Sequence, residues 1–246
     1  MAFKFSPKIV IDSLVLYYDA ANTISYVSGS TIWNDLSRGA NNGVLTNGPT
    51  FDSGNAGSVF FDGTNDYSTL GQNLGFSMAP TNVSMLFWVK GNYSNYYLGV
   101  FERTTVTSAG LNVPIPSNGW VQVGYISSGS TNHFVINGVR YVSNMSGRYS
   151  YDYAADRPIY SACDFLFGSP NSPNFAFSLQ GTNIGGFGGA YVWSDKNNRL
   201  LGRNQSGIGS SNFFSGNISN VQIYNRTLST QEVLQNYNAI KGRYGL

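Results

Sequence analysis

Apolar positions along the chain recur with the period of strands, in short runs broken by turn residues, and only the C-terminus departs from that rhythm. Residues 9–18, IVIDSLVLYY, are a β-rich run that Asp19 ends. Residues 58–61, SVFF, and 67–70, YSTL, flank Asp62-Gly63-Thr64-Asn65-Asp66, which predicts a hairpin with a polar turn. Residues 83–90, VSMLFWVK, are almost continuously apolar and predict a central strand. Residues 120–127, WVQVGYIS, predict another strand, and 133–142, HFVINGVRYV, predict a hairpin turning at Asn137-Gly138. In 217–224, NISNVQIY, the alternation leaves the buried side open: Ile218, Asn220, Gln222 and Tyr224 oppose Ser219, Val221 and Ile223. A helix is predicted over about 230–241 by a capping box, Ser229 with Glu232 three residues on. Leu228 and Val233 would staple its start, Val233, Leu234, Tyr237 and Ile240 would dock it, and Gly242 would cap its end.

Composition strengthens the all-β reading. Gly, Asn and Ser, the turn formers, make up 88 of 246 residues, while 41% of the chain is hydrophobic and 15% aromatic. So much apolar surface is incompatible with disorder, and a chain of this length can bury a full core without disulfide or metal. The net charge of +2, without a cluster of Lys and Arg, lacks the footprint of a nucleic-acid binder. One cysteine, Cys163, excludes an intrachain disulfide framework, and one histidine, His133, excludes any site needing two imidazoles. No secretory signal or membrane-length apolar run is present, so the expectation is an intracellularly made, soluble protein with no membrane insertion. Without a repeat or linker, residues 1–246 read as one domain with a short N-terminal arm at 1–8.

Four segments together resemble the laminin-G-like, concanavalin A-like jelly-roll family: FFDGTNDYSTLG at 60–71, VSMLFWVKG at 83–91, the stretch from NGWVQVGYIS at 118–127 to HFVINGVRYV at 133–142, and FFSGNISNVQIYNRTLSTQEV at 213–233. The opening KIVIDSLVLYYDAANTISYVSGSTIWNDLS and the ending QNYNAIKGRYGL resemble the subset found in structural proteins of tailed, notably marine, phages. The resemblance implies a two-sheet antiparallel jelly-roll β-sandwich with one short C-terminal helix. Two departures from the family pattern stand out. Between Lys90 and Trp120 the chain is short and is expected to lack a strand pair. Residues 143–198 read as an insertion rich in rings and glycine.

Glucanases share this jelly roll, and glycoside hydrolysis normally needs two flanking carboxylates. The chain has only two glutamates, Glu102 and Glu232, neither in a catalytic pattern, and Glu232 is claimed by the capping box. Asp152 and Asp156 are close in sequence but sit beside Arg157 in Tyr-rich sequence. A Ser/His/Asp triad would have to use His133, and no G-x-S-x-G elbow is present. The expectation is therefore a protein that is not an enzyme and needs no cofactor. Relatives of this fold often bind calcium, and Asp62, Asn65 and Asp66 offer hard oxygens for a structural ion, against the alternative that they only make the turn. Tyr149, Tyr151, Tyr153, Tyr191 and Trp193 are candidates either for a protein interface or for stacking on a glycan.

These readings converge on a phage virion protein at the particle surface. Capsid decoration comes first, through contacts with other virion proteins or with a second copy of this chain. A tail-associated adhesin recognising a receptor or a host-surface glycan is the alternative, and a glycan hydrolase the distant third.

Overall fold

A computed structural model of the chain describes residues 7–70, 82–91, 96–101, 109–113, 119–128, 131–142, 151–152, 157–158, 163–169, 172–179, 200–201 and 214–246. Its strands are, in chain order, β1 (Leu14–Asp19), β2 (Ile32–Trp33), β3 (Gly43–Thr46), β4 (Thr50–Asp52), β5 (Ser58–Asp62), β6 (Tyr67–Thr69), β7 (Asn82–Gly91), β8 (Tyr96–Phe101), β9 (Ala109–Val113), β10 (Val121–Ser128), β11 (Thr131–Ile136), β12 (Val139–Val142), β13 (Tyr151–Asp152), β14 (Arg157–Pro158), β15 (Cys163–Ser169), β16 (Ser172–Leu179), β17 (Leu200–Leu201) and β18 (Ser215–Tyr224). One helix, α1 (Thr230–Ile240), follows, and a 3-10 turn, Lys241–Tyr244, extends it. The first sheet runs β12-β11-β10-β7-β18-β5-β4, with β1 lying beside the far half of β18. The second runs β2-β3-β6-β17-β16-β15-β8-β9, and β13 with β14 forms a separate pair. The fold is a two-sheet antiparallel β-sandwich.

The central strand of the first sheet, β7, is buried on both faces because both are covered. Val83, Met85, Phe87 and Val89 point into the core shared with the second sheet, where Trp33 and Leu45 meet them. Trp33 is the anchor there, stacked on Tyr18 with ring centroids 5.2 Å apart. On the opposite face Leu86 joins Val10, Ile126, Val135, Tyr224, Leu228 and Val233 in a second core beneath α1. Gly124 in β10 is required by close approach: a Cβ there would lie 2.4 Å from the Met85 carbonyl oxygen. Asn137 and Gly138, with φ of 47° and 81°, make the tight turn between β11 and β12 that both left-handed positions demand.

The ambiguous facing of residues 217–224 resolves into a bulge. Register shifts between Ile218 and Asn220, so Ile218 changes parity and joins Val221 and Ile223 in the main core. Asn220, Gln222 and Tyr224 then share the outer face. Helix α1 carries its capping box as predicted, with Glu232 N donating to Ser229 Oγ and Ser229 N to Glu232 Oε2, at 3.3 and 2.8 Å. Leu228 and Val233 are both buried beside it. The predicted docking face needs one exchange: Leu234 is exposed, and Asn236 is buried instead because it closes a hydrogen-bond ring with Val10 and Tyr224. Gly242 does not cap the helix. The chain continues through the 3-10 turn, and Gly245, in the left-handed region at φ 72°, ends it.

Three further expectations change. Residues 58–70 do not form a hairpin, since β5 pairs with β4 and β18 in one sheet and β6 with β3 and β17 in the other. The polar turn between them is a corner from sheet to sheet. Residues 91–119 hold a strand pair, β8 with β9. The segment 143–198, read as an insertion, supplies β15 and β16, which sit inside the second sheet between β17 and β8. Its glycines and prolines hid those strands, since such residues weaken a strand signal without forbidding pairing near its ends.

Candidate functional site

The corner at 62–66 is built by its own amides. Asp62 Oδ1 accepts from the backbone N–H of Thr64 at 2.7 Å and of Asn65 at 3.3 Å. The Thr64 N–H, with those of Asn65 and Asp66, holds the Asp62 carboxyl below its ordinary range. Asp66 is buried, accepts from Asp62 N at 3.0 Å, and desolvation pushes its carboxyl up. The Asn65 carbonyl accepts from Asn47 Nδ2 at 2.8 Å. Calcium takes six to eight oxygens, whereas donors already point at Asp62, Asn65 and Asp66. These bonds are those of the turn reading. Among the described residues no group of three or more His, Cys, Asp or Glu side chains is arranged to hold a metal ion.

The described carboxylates elsewhere are bound into the frame. Asp19 receives a bidentate Arg243 at 2.6 and 2.7 Å and the Tyr17 hydroxyl at 3.0 Å. Asp35 accepts from the amides of Tyr17, Ser37 and Asn41 and from the Ser37 hydroxyl. Asp52 accepts from Gly54 N and Asn217 Nδ2. Glu232 takes both terminal nitrogens of Arg226 at 2.9 and 2.6 Å, and that guanidinium lowers its carboxyl to about 2. A carboxyl ionised so far below neutrality cannot serve as a general acid. His133 is half-buried on β11, and its Nδ1 lies 3.1 Å from Arg140. Burial first, and the Arg140 charge second, lower its pKa. A triad histidine has a carboxylate at that nitrogen; here the neighbour is a cation.

Of the aromatic candidates, Tyr151 stands on β13, whose backbone alone is described, and Tyr149, Tyr153, Tyr191 and Trp193 lie outside the described residues. Glu102 and Asp156 lie outside them as well. A different aromatic group emerges on the outer face of the first sheet. Trp120, Tyr244, Trp88 and Tyr237 form a continuous stack, with successive centroids 4.6, 4.5 and 5.6 Å apart. Lys241 Nζ caps it, 5.2 Å from the Tyr237 centroid. Each inner ring face is covered by its neighbour, so the stack is a clasp over the sheet and not a platform for a ligand. On the second sheet, the free edge residue Ile32 has both its backbone groups bonded by the Ser30 hydroxyl, at 2.9 and 3.0 Å, which blunts edge-to-edge pairing there. Ile32 and its cross-strand partner Val44 stay exposed on that sheet.

No protein-family model and no curated protein matches the sequence. Solved structures do. Trypanosoma rangeli sialidase in complex with sialic acid aligns with 98% of this chain at a TM-score of 0.55 and 12% identity, over 36% of its own length. Domain 4 of AbnA, a GH43 extracellular arabinanase from Geobacillus stearothermophilus, in complex with arabinotriose, aligns over 92% of this chain and 98% of its own, at 0.53 and 13%. The receptor-binding domain of botulinum neurotoxin C/D mosaic serotype aligns over 93% of this chain and 51% of its own, at 0.50 and 15%. The shared property is the two-sheet β-sandwich. At such identities the likeness is one of fold, and this chain spans about a third of the sialidase it matches.

Proposed function

We propose that this chain is a non-catalytic recognition module, a β-sandwich adhesin that binds a glycan on a cell surface. The observation that carries the non-catalytic part is the commitment of the described carboxylates: Asp19, Asp35, Asp52, Asp62, Asp66 and Glu232 each hold structural partners. Glycoside hydrolysis asks instead for a carboxyl pair facing an open cleft. The glycan part draws on the fold. Domain 4 of AbnA, matched along nearly its whole length, was solved with arabinotriose, and a toxin receptor-binding domain has the same architecture. The outer face of the first sheet is closed by the chain's own clasp, so recognition is assigned to the second sheet; the ring candidates Tyr149, Tyr151, Tyr153, Tyr191 and Trp193 are near β13 to β17 in sequence only. No metal is needed in this reading.

The resemblance of the opening, residues 8–37, and of the ending, residues 235–246, to tailed-phage structural proteins favours the virion surface as its setting. Within that setting a second reading keeps support from composition. A chain with 11% charged and 15% aromatic residues suits a protein interface, so decoration of a capsid through protein contacts is the competing role. A panel of immobilised glycans, including arabino- and sialo-oligosaccharides, tests the adhesin: saturable binding to at least one class is expected, and binding to none removes it. Labelling of intact particles separates the settings, with tail tips expected for the adhesin and the capsid lattice for decoration.

A further inference from the structure

Nε1 of Trp88, Nε2 of Gln122 and Nδ2 of Asn220, all on fully buried residues of the first sheet's outer face, meet no acceptor among the described residues, and the Tyr244 hydroxyl above them and Arg140 Nε on β12 are buried without a partner too. The first three stand in one line. Trp88 on β7 pairs directly with Gln122 on β10 and with Asn220 on β18. Directly opposed residues place their Cβ atoms about 4.5–5.5 Å apart, so Gln122 and Asn220 each neighbour Trp88, from opposite sides. The orientation of Gln122 is fixed, because its Oε1 accepts from Gly138 N at 3.1 Å and turning the amide over would set two donors face to face. Asn220 Oδ1 likewise accepts from Gln222 Nε2 at 2.9 Å. The Asn220 amide approaches the Tyr17 hydroxyl closely enough to favour that hydroxyl's ionised form, but outside strict hydrogen-bond geometry, so the need for an acceptor is strongest at Trp88 and Gln122.

The line is roofed. Tyr237 and Tyr244 stack on the Trp88 indole, Trp120 stacks on Tyr244, and Trp120 Nε1 is tied to Asn55 Oδ1 at 3.0 Å. Beside it, Asp19 and Arg243 neutralise each other through a bidentate pair. An indole N–H can only donate, so whatever satisfies Trp88 must accept. Asp19 neutralises Arg243, so that guanidinium offers no free charge to an anion in the layer. Buried polar groups without protein partners are ordinarily served by internal water, which makes about three hydrogen bonds in such sites.

We propose that the layer between the first sheet and its C-terminal clasp is a built internal hydration site, in which ordered water accepts from Trp88 Nε1 and from one flanking carboxamide N–H, of Gln122 or of Asn220, and can donate to the buried Tyr244 hydroxyl. Because the roof is aromatic and tied at both ends, this water exchanges only when the clasp opens, and its residence is far longer than that of surface water. The test uses the whole chain, labelled with nitrogen-15. Water-selective cross-relaxation at the Trp88 indole proton and at one flanking side-chain amide, of Gln122 or of Asn220, should carry the sign of a long-lived, protein-bound water. A high-resolution crystal structure should place water within about 2.7–3.2 Å of Trp88 Nε1 and of at least one flanking amide nitrogen. The proposal fails if the indole proton shows no contact with water. It fails equally if the crystal shows a dry layer in which Asn220 and Gln222 have turned over together, so that Asn220 Oδ1 accepts directly from the indole.

Discussion

The two faces of the first sheet are buried equally and built differently. The inner face presents Met85, Phe87, Val89, Val123, Ile218, Val221 and Ile223 to the second sheet. The outer face, one residue out of step on the same strands, presents Ser84, Trp88, Gln122, Asn220 and Gln222 beside the smaller apolar core at Leu86, Ile126 and Val135. Apolar packing is non-directional and tolerates many combinations of similar volume. A polar face under a lid is directional, since each buried group needs a partner at one place. The ring from Val10 N to Asn236 Oδ1, Asn236 Nδ2 to the Tyr224 hydroxyl, and that hydroxyl to the Val10 carbonyl locks both ends of the chain onto one strand. The inner face therefore supplies most of the stability, and the outer face fixes how the termini dock.

The strongest way to break this contrast is on the inner face. Phe87→Ala removes a fully buried ring from the main core and should cost about 3–5 kcal/mol in chemical denaturation. On the outer face, Asp19→Ala leaves Arg243 without its carboxylate. It should cost about 3 kcal/mol, while the spectroscopic signature of the sandwich persists below the lowered melting point. A loss as large as that of Phe87→Ala together with loss of all structure would make the clasp part of the folding core. Ser229→Ala should cost about 0.5–2 kcal/mol through the N-cap bond.

Smaller effects sharpen the same picture through pH. The folded pKa of Glu232, about 2, lies below its ordinary 4.5, so the stability it contributes is present above pH 4.5 and is lost as pH falls toward 2. Glu232→Gln should flatten the acid limb of the melting curve in that window. Asp66 has the opposite sign: its raised pKa means the buried carboxyl opposes folding once it ionises. Asp66→Asn keeps an acceptor for Asp62 N and should leave melting unchanged or raise it slightly at neutral pH. The same protein should melt at one temperature with or without excess calcium if the corner at 62–66 is complete in itself.

Local signals in the sequence located the elements whose determinants are local. Ser229 and Glu232 marked the start of α1, Asn137-Gly138 marked a tight turn, and the apolar run at 83–90 marked the central strand. What escaped was set by distant partners or by a single change of parity. The bulge at Ser219 moved Ile218 to the core side, which no alternation within 217–224 indicates. Asp62 to Asp66 has the composition of a hairpin turn, and only the partners of β5 and β6 make it a corner. No local pattern marks Gln122 or Asn220 as buried, because residues from both ends of the chain cover them. Of the candidate site, the turn-forming role of Asp62 was legible in the sequence. The stack of Trp120, Tyr244, Trp88 and Tyr237 was not, since its members come from three separate segments.

The most direct test of a recognition module that does no chemistry is one mixture read twice. The purified chain is titrated calorimetrically with arabinotriose and with sialylated and other oligosaccharides, and each mixture is then assayed for newly released reducing ends. Saturable heat with an unchanged oligosaccharide is the result expected. Release of reducing ends that survives further purification, or the absence of saturable binding across the whole set, would contradict the account.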